Sequence, residues 1–284
     1  MFFFHATGGR LGNQLFATAL IERRRRPREL IITTQLEESR RFLGRLQRYR
    51  DFSHPFLVNV ADHVISRFVV WPLIRAKVIS SMVEREGVVR ETRGILPITY
   101  FRGYFQAPRY MMPTPITRSW IRHGFRADAV ARLRDASDRT PLFIHVRRSD
   151  YAGHRVYGPR AVVLPLRYYR SAIEVLERRV ETPYYFLLSD DPDWCERQFA
   201  HLPYKSISRS SSYQDLALMS LCAGGIASNS TFAWWGAHLC RRTAPVIAPR
   251  FWLGWTQGRW LPDGIEESDF EFIDVPAEGA VRQA

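Results

Sequence analysis

Lysine is almost missing from this chain of 284 residues. Only Lys77 and Lys205 are present, so the formal net charge of +13 rests almost wholly on arginine. A surplus of that size ordinarily raises nucleic acid or an anionic membrane as a partner. Here the arginine bias reads as genome composition laid over a basic surface, which weakens the step from charge to function. Cysteine is scarce too. Cys195, Cys222 and Cys240 are odd in number and lack CxxC spacing, so neither a disulfide framework nor a zinc site is indicated. No apolar run reaches the ~20 residues of a spanning helix. Ser66 to Val83 comes nearest, and Arg67, Pro72, Arg75 and Lys77 interrupt it. Met1 leads straight into Phe2-Phe3-Phe4 without a basic n-region or cleavage site. Internal repeats and low-complexity tracts are absent. A reduced, cytoplasmic protein is the simplest reading, with Arg23 to Arg26 as a candidate peripheral contact to an anionic membrane. Nucleic acid is not expected, because the basic residues lack interleaved aromatics and no nucleic-acid-binding fold signature is present. Oligomeric state is not legible.

What is present concentrates in three segments. Positions 141–151 read Pro-Leu-Phe-Ile-His-Val-Arg-Arg-Ser-Asp-Tyr. Leu142, Phe143, Ile144 and Val146 predict a buried parallel strand. His145, Arg147, Arg148 and Asp150 then follow where the strand ends, and ligands of open α/β sheets bind outside the carboxyl ends of strands. Two adjacent arginines cannot both enter a dry core unpaired. Alternation sends one to each side, and at least one needs an anion. A guanidinium binds phosphate bidentately and stays charged. Asp150 is near enough to pair with an arginine or to take a proton.

Positions 8–14 read Gly-Gly-Arg-Leu-Gly-Asn-Gln, between the opening apolar run and an amphipathic stretch carrying Leu11, Leu15, Ala19 and Leu20 on one face. This predicts a strand, a turn at Gly8 and Gly9, and a helix N-terminus near Gly12 whose free N–H groups suit an anion or a hydroxyl. Asn13 and Gln14 add two amides. The spacing fits neither a dinucleotide fingerprint nor a Walker loop. In the third segment, Ser228, Asn229, Ser230 and Thr231 stand at a predicted strand-to-helix switch, where such residues cap helices and donate to docked phosphates. Phe232, Trp234 and Trp235 follow, either as core or as a wall for a base or sugar.

Together these residues resemble the α-1,2-fucosyltransferase family. Gly8 to Gln14 is similar to its glycine-rich motif, His145 to Tyr151 to its His-x-Arg-Arg-x-Asp-Tyr motif, and Ser228 to Leu239 to its Ser-Asn-Ser-Ser-Phe-x-Trp-Trp-Gly-Ala motif. Gly103-Tyr104-Phe105-Gln106 and Tyr184 to Asp191 fit as well. Ser149 stands where the family usually has glycine, and Arg10 enters a turn more often small and apolar. The resemblance implies an inverting, GDP-fucose-dependent enzyme that fucosylates the 2-hydroxyl of a terminal galactose on a glycan. It also implies two Rossmann-like domains facing a cleft, the arrangement called GT-B.

Length and rhythm agree with an α/β reading. Strand-like runs recur at 29–33, 141–146, 184–189, 223–227 and 244–248, separated by helix-length stretches. The polar stretch Arg134 to Pro141 predicts a linker and a boundary near residue 138. The N-terminal part, 1–138, is then the acceptor side, and 139–284 the GDP-fucose side. On this reading Arg147 contacts the β-phosphate, with Ser230, Thr231 and the backbone at Phe232 on the same group and Asn229 beside them. Arg148 touches the pyrophosphate or forms a structural pair. His145 orients an arginine or the nucleotide, or is a satisfied strand-end histidine. Asp190 reads guanine or caps a helix. Asn13, with Gly9 and Gly12, holds the acceptor or the phosphate. Asp150 is a candidate base, although pairing with arginine would make it a poor one, and the general base stays unassigned. Asp191-Pro192-Asp193 formally matches a metal-holding Asp-x-Asp pattern. The arginines already supply positive charge, so no metal or other cofactor is expected. The alternatives are an α-1,6-fucosyltransferase and a non-catalytic carbohydrate- or GDP-sugar-binding protein.

Overall fold

The computed structural model describes residues 2–5, 9–26, 29–46, 49–51, 54, 60–85, 88–153 and 162–276. The chain divides into two compact units, residues 1–122 and 123–284.

In the first unit, β1 (Phe2–His5), α1 (Leu11–Arg24), β2 (Ile31–Thr34), α2 (Glu37–Phe42) and β3 (Tyr49–Asp51) alternate. A helical segment, Ala61–Val70, continues into α3 (Trp71–Arg75). Then come β4 (Ser80–Arg85), β5 (Val88–Thr92), β6 (Thr99–Arg102) and the short α4 (Pro108–Met111). The sheet order is β3-β2-β1-β6-β4-β5, parallel throughout except β5 against β4. α1 is buried on more than the one face that its apolar spacing suggests, since Gln14, Phe16 and Thr18 are buried with Leu11, Leu15 and Ala19. Two cations, Arg23 and Arg24, end it and suit the helix dipole.

The second unit opens with α5 (His123–Leu133), followed by β7 (Thr140–Val146), α6 (Leu166–Glu177), β8 (Pro183–Ser189), α7 (Pro192–Gln198) and β9 (Lys205–Ile207). It ends with α8 (Ser212–Leu221), β10 (Gly224–Ile226), α9 (Thr231–Leu239), β11 (Val246–Pro249) and β12 (Glu271–Ile273). All six strands are parallel, in the order β12-β11-β10-β7-β8-β9. This is the doubly wound order, with its reversal between β7 and β10. Leu142, Phe143, Ile144 and Val146 are buried on both faces of β7, as their unbroken apolar run requires. Each unit is thus the Rossmann-like α/β body expected.

The boundary differs from the one the polar stretch suggests. It falls at Arg122/His123, ahead of residue 138, because α5 is latched to α8. Arg132 donates to the Asp215 carboxylate (3.2 Å) and the Ser208 hydroxyl (2.7 Å), and Ser208 itself donates to Asp215. Phe125 packs on Tyr213 with ring centroids 5.4 Å apart. The expected linker is a helical turn, Arg134–Ala136, leading into β7. Buried Cys195, Cys222 and Cys240 are all free thiols.

One glycine fixes the β7–β10 junction. Gly225 has φ +155°, and a Cβ there would lie 2.2 Å from the Phe143 carbonyl oxygen. A Cβ at Gly236 on α9 would meet first the far end of the Met219 side chain, Cε at 2.2 Å and Sδ at 2.6 Å, which can move. Gly225→Ala is therefore expected to lose about 3 kcal/mol or more, and Gly236→Ala under about 1.5 kcal/mol. Urea midpoints of the two variants check this ordering, and equal losses would overturn it.

Candidate active site

The carboxyl ends of β7 and β10 meet at the reversal of the second sheet, where a doubly wound fold leaves a crevice. The sequence puts His145, Arg147 and Arg148 at one end, and Ser228 to Phe232 at the other. His145 Nδ1 is hydrogen-bonded to Ser228 Oγ at 2.8 Å, which ties the two strand ends together. Phe232 covers the imidazole with ring centroids 5.2 Å apart. Burial first, and the Arg147 charge second, push His145 from 6.5 down to about 3. The imidazole is therefore neutral at working pH and serves as a positioning group, not a cation.

Arg147 is the centre of the site. Its guanidinium pairs with Asp150 (2.6 Å) and with Asp190 (3.2 Å), and lies 5.6 Å from the Tyr151 ring centroid. Its buried Nε has no hydrogen-bond partner among the described residues. Asp190 is locked in place, because its carboxylate also accepts from the backbone N–H groups of Arg148 (2.9 Å) and Ser149 (3.2 Å). Ser149 Oγ donates to the Asp190 carbonyl oxygen at 3.1 Å. The Asp150 side chain is 39% exposed against 14% for Arg147, so Asp150 is the partner that can leave. A phosphate oxygen arriving in its place would keep the arginine neutralised.

Arg148 has partners other than those of Arg147. It stacks on Trp194 at 4.1 Å and pairs with Asp191 at 3.4 Å. Asp191 in turn caps α7, accepting from the Trp194 N–H at 3.1 Å. Helix capping thus falls to Asp191. The guanine contact weighed for Asp190 meets an obstacle, since both its oxygens already hold donors. Asp193, the second carboxylate of the Asp-x-Asp pattern, pairs with Arg209 (2.6 Å).

On the β10 side, Ser230 caps α9 and accepts from the Phe232 N–H at 3.3 Å. Thr231 is the first helical residue. Asn229 is buried and donates to the Val162 carbonyl at 2.8 Å, while Tyr151 OH donates to the Asn229 carbonyl at 3.3 Å. Tyr151 thereby bridges the two strand ends a second time, a role the sequence pattern did not single out. Trp234 and Trp235 are fully buried, and Trp234 stacks on His238 and donates to the Ile265 carbonyl. They are core, so only Phe232 of the three aromatics is left to line a pocket.

The first unit has its own reversal, between β1 and β6. Gly8 lies outside the described residues. Gly9 has φ +111°, and a Cβ there would lie 2.5 Å from Asn13 Nδ2, so glycine lets the amide lie over the turn. Asn13 Oδ1 accepts from Gln106 Nε2 at 3.0 Å. Gly12 is buried inside α1 and not in the turn. Gln14 is structural: it is buried, donates to the Gly9 carbonyl and accepts from the Ser39 N–H. Glu84 was invisible to motif reading. Its carboxylate accepts from the N–H groups of Tyr104 (2.7 Å) and Phe105 (2.6 Å), bracing the turn that presents Gln106 to Asn13. A lone acid inside the strand Ser-Ser-Met-Val-Glu-Arg was its one sequence signal.

The model of glycosyl transferase family 11 matches residues 95–254, a span that contains both β7 and β10 ends and the Glu84-braced turn but not Gly9 or Asn13. The O-antigen biosynthesis glycosyltransferase WbnK of Escherichia coli is 35% identical over 115 residues, 39% of this chain and 38% of that protein. The alpha-1,2-colitosyltransferase of Escherichia coli is 31% identical over 120 residues, 39% of this chain and 40% of that protein. The chain therefore spans about two-fifths of the length of these curated relatives. Among solved structures, the fucosyltransferase NodZ from Bradyrhizobium aligns with a TM-score of 0.47 at 15% identity, covering 84% of this chain and 92% of that one.

The depressed His145 makes a pH test. In the unfolded chain this histidine binds a proton below 6.5, but in the fold only near 3. Its contribution to stability is complete above 6.5 and is lost as pH falls from 6.5 toward 3. His145→Asn is expected to flatten the fall in urea midpoint between about pH 6.5 and about pH 4. An unaltered slope in the variant would contradict a neutral, buried imidazole.

Proposed function

The chain belongs to glycosyl transferase family 11, and from that premise we propose that it transfers L-fucose from GDP-fucose to the 2-hydroxyl of a terminal galactose on a glycan, with inversion and without metal. One observation carries the reading: a charged, mostly buried Arg147 whose exchangeable partner is the exposed Asp150. When GDP departs, negative charge grows on its β-phosphate, and a preorganised guanidinium there stabilises the transition state more than the ground state. Asp190 holds the fork in register throughout, Ser230 and Thr231 add donors at the α9 N-terminus, and neutral His145 leaves the net charge to Arg147. Asn13 and Gln106 present amides suited to sugar hydroxyls. Asp150, once displaced, is a candidate proton acceptor for the incoming hydroxyl, and its place beside a cation argues against it.

A second donor sugar is supported by one relative. The alpha-1,2-colitosyltransferase carries the same linkage in its name with a different sugar, so linkage is better supported than donor. WbnK favours an O-antigen glycan as acceptor.

GDP release from GDP-fucose with β-galactosides, measured in EDTA, tests the proposal. Acceptor-dependent release is expected, unchanged by EDTA. Arg147→Ala should lower kcat/KM by about 100-fold or more, and Arg147→Lys should restore little, because an ammonium lacks the fork. Activity lost in EDTA and restored by Mn²⁺ would replace the arginine mechanism with a metal one. Release from another GDP-sugar only would keep the chemistry and change the donor.

A further inference from the structure

Exposed apolar side chains are distributed unevenly. Among the described residues, Leu30, Val64, Ile65, Phe68, Val69, Val88, Ile95 and Leu96 are the large exposed ones of the first unit, against Val130 and Tyr204 in the second. Four of the first group lie on the helical segment Ala61–Val70 and two in the loop before β6. The helical segment Ala61–Val70 and α3 pack on the sheet through Val70 and Ile74, against Ile79, Val83 and Tyr100. Ser66, on the same side, is within 3.4 Å of the Tyr100 hydroxyl. The opposite face carries Ile65 (41% exposed), Phe68 (69%) and Val69 (50%). Where α3 ends, the loop before β6 joins it: Ile95 N–H donates to the Lys77 carbonyl (3.0 Å) and Leu96 N–H to that of Val78 (2.8 Å). Ile95 is 87% exposed, which no fold requirement explains.

Cations border this apolar ridge on both sides. Arg67, stacked on Phe68 at 5.8 Å, Arg75 and Lys77 are exposed along the helix side. On the other side Ile95, Leu96 and Pro97 share a cavity of about 490 Å³ with Arg24 and Arg26. Among the described residues, the acids at this edge are Glu29, which also lines the cavity, and Glu91, which pairs with Arg24 at 3.4 Å. Burial disfavours the Glu29 charge, yet the group stays below the usual carboxylate range, and the hydrogen bond from the Arg26 backbone N–H is the largest of the opposing causes. The cations outnumber these acids. Protruding aliphatic and aromatic tips ringed by arginine and lysine match an anionic bilayer surface: the tips enter the headgroup–acyl boundary and the cations meet phosphates.

We propose that the amino edge of the first unit, with Ile95 and Leu96, and the adjoining exposed face of the Ala61–Val70 segment, with Phe68, form a docking surface for an anionic phospholipid bilayer. The cavity beside Arg24 and Arg26 receives a headgroup phosphate. This edge lies at the opposite end of β6 from Gln106. β6 has four residues, so the turn holding Asn13 and Gln106 stands roughly 13 Å above the docked edge at ~3.3 Å per residue. The inference rests on this surface alone and not on the identity of the donor or acceptor.

Sedimentation of the full chain with vesicles tests it. Vesicles of phosphatidylcholine with 30% phosphatidylglycerol, a composition of roughly one anionic lipid in three, should bind the protein; pure phosphatidylcholine should not, and salt should weaken the binding. Arg75→Gln with Lys77→Gln should weaken partitioning about 25-fold, at about fivefold per cation removed. Ile95→Ser and Phe68→Ser should each weaken it without moving the thermal midpoint, since both side chains are exposed. Equal binding to both vesicle types, or no response to these variants, would overturn the proposal. A dimer in solution that Phe68→Ser dissociates, with no vesicle binding, would assign the ridge to a second copy instead. Stabilisation by inorganic phosphate without vesicle binding would reduce the cavity to a free-anion site. GDP release with a soluble acceptor should be unchanged in Ile95→Ser, which separates failure of this surface from failure of the reaction.

Discussion

A guanidinium at the end of a central strand has to be neutralised, and much of the second unit's local structure follows from how Arg147 meets that demand. Removing such a charge from water without a partner is strongly unfavourable. Asp190 supplies the permanent partner only because β8 runs parallel to β7 in a register that pairs Val146 with Ser189. That register sets Asp190 one residue past the neighbouring strand, where the N–H groups of Arg148 and Ser149 meet its carboxylate. Those donors hold the carboxylate still. The strand pairing, the turn after β7 and the arginine rotamer are therefore one arrangement, and disturbing any of them exposes an uncompensated charge.

The same economy explains why Asp150 is a different kind of partner. It sits on the turn itself and its side chain is 39% exposed, against 14% for the Arg147 side chain that it pairs with. An arginine held by one fixed and one replaceable carboxylate is arranged to accept an anion without first becoming unpaired. His145 fits this logic from the opposite direction. A charged imidazole beside Arg147 would add repulsion in a buried place, and burial together with that arginine keeps it neutral. The strand end thus carries one cation, not two, and the hydrogen bond to Ser228 spends the imidazole on holding β7 to β10.

Legibility in the sequence followed physical range. The strands at 141–146, 184–189, 223–227 and 244–248 were readable because buried parallel strands must be continuously apolar, and β7, β8, β10 and β11 occupy those places. What failed depended on partners distant in sequence. The boundary near 138 was placed by local polarity, whereas the fold is decided by Arg132 reaching Asp215 across 83 positions. The Trp234–Trp235 pair left core and pocket open, because a helix N-terminus can turn either way until the sheet behind it is known. Glu84 gave almost no signal, since a carboxylate that braces a turn 20 residues away looks like any strand acid.

The two units present unlike chemistry at equivalent places, and that difference is itself an argument about roles. At its reversal the second sheet carries a paired cation, a capped helix start and a neutral imidazole, the equipment for anionic charge that changes during reaction. The first sheet carries at its reversal two side-chain amides, Asn13 and Gln106, joined to each other and braced by Glu84 through backbone N–H groups. Amides bind neutral hydroxyls and gain little from an anion. Near Arg148, Asp191 caps a helix and Asp193 pairs with Arg209. The charged groups are thus concentrated at the second unit's reversal and the amides at the first unit's, which is the division that the proposed transfer from a GDP-sugar to a sugar hydroxyl would use.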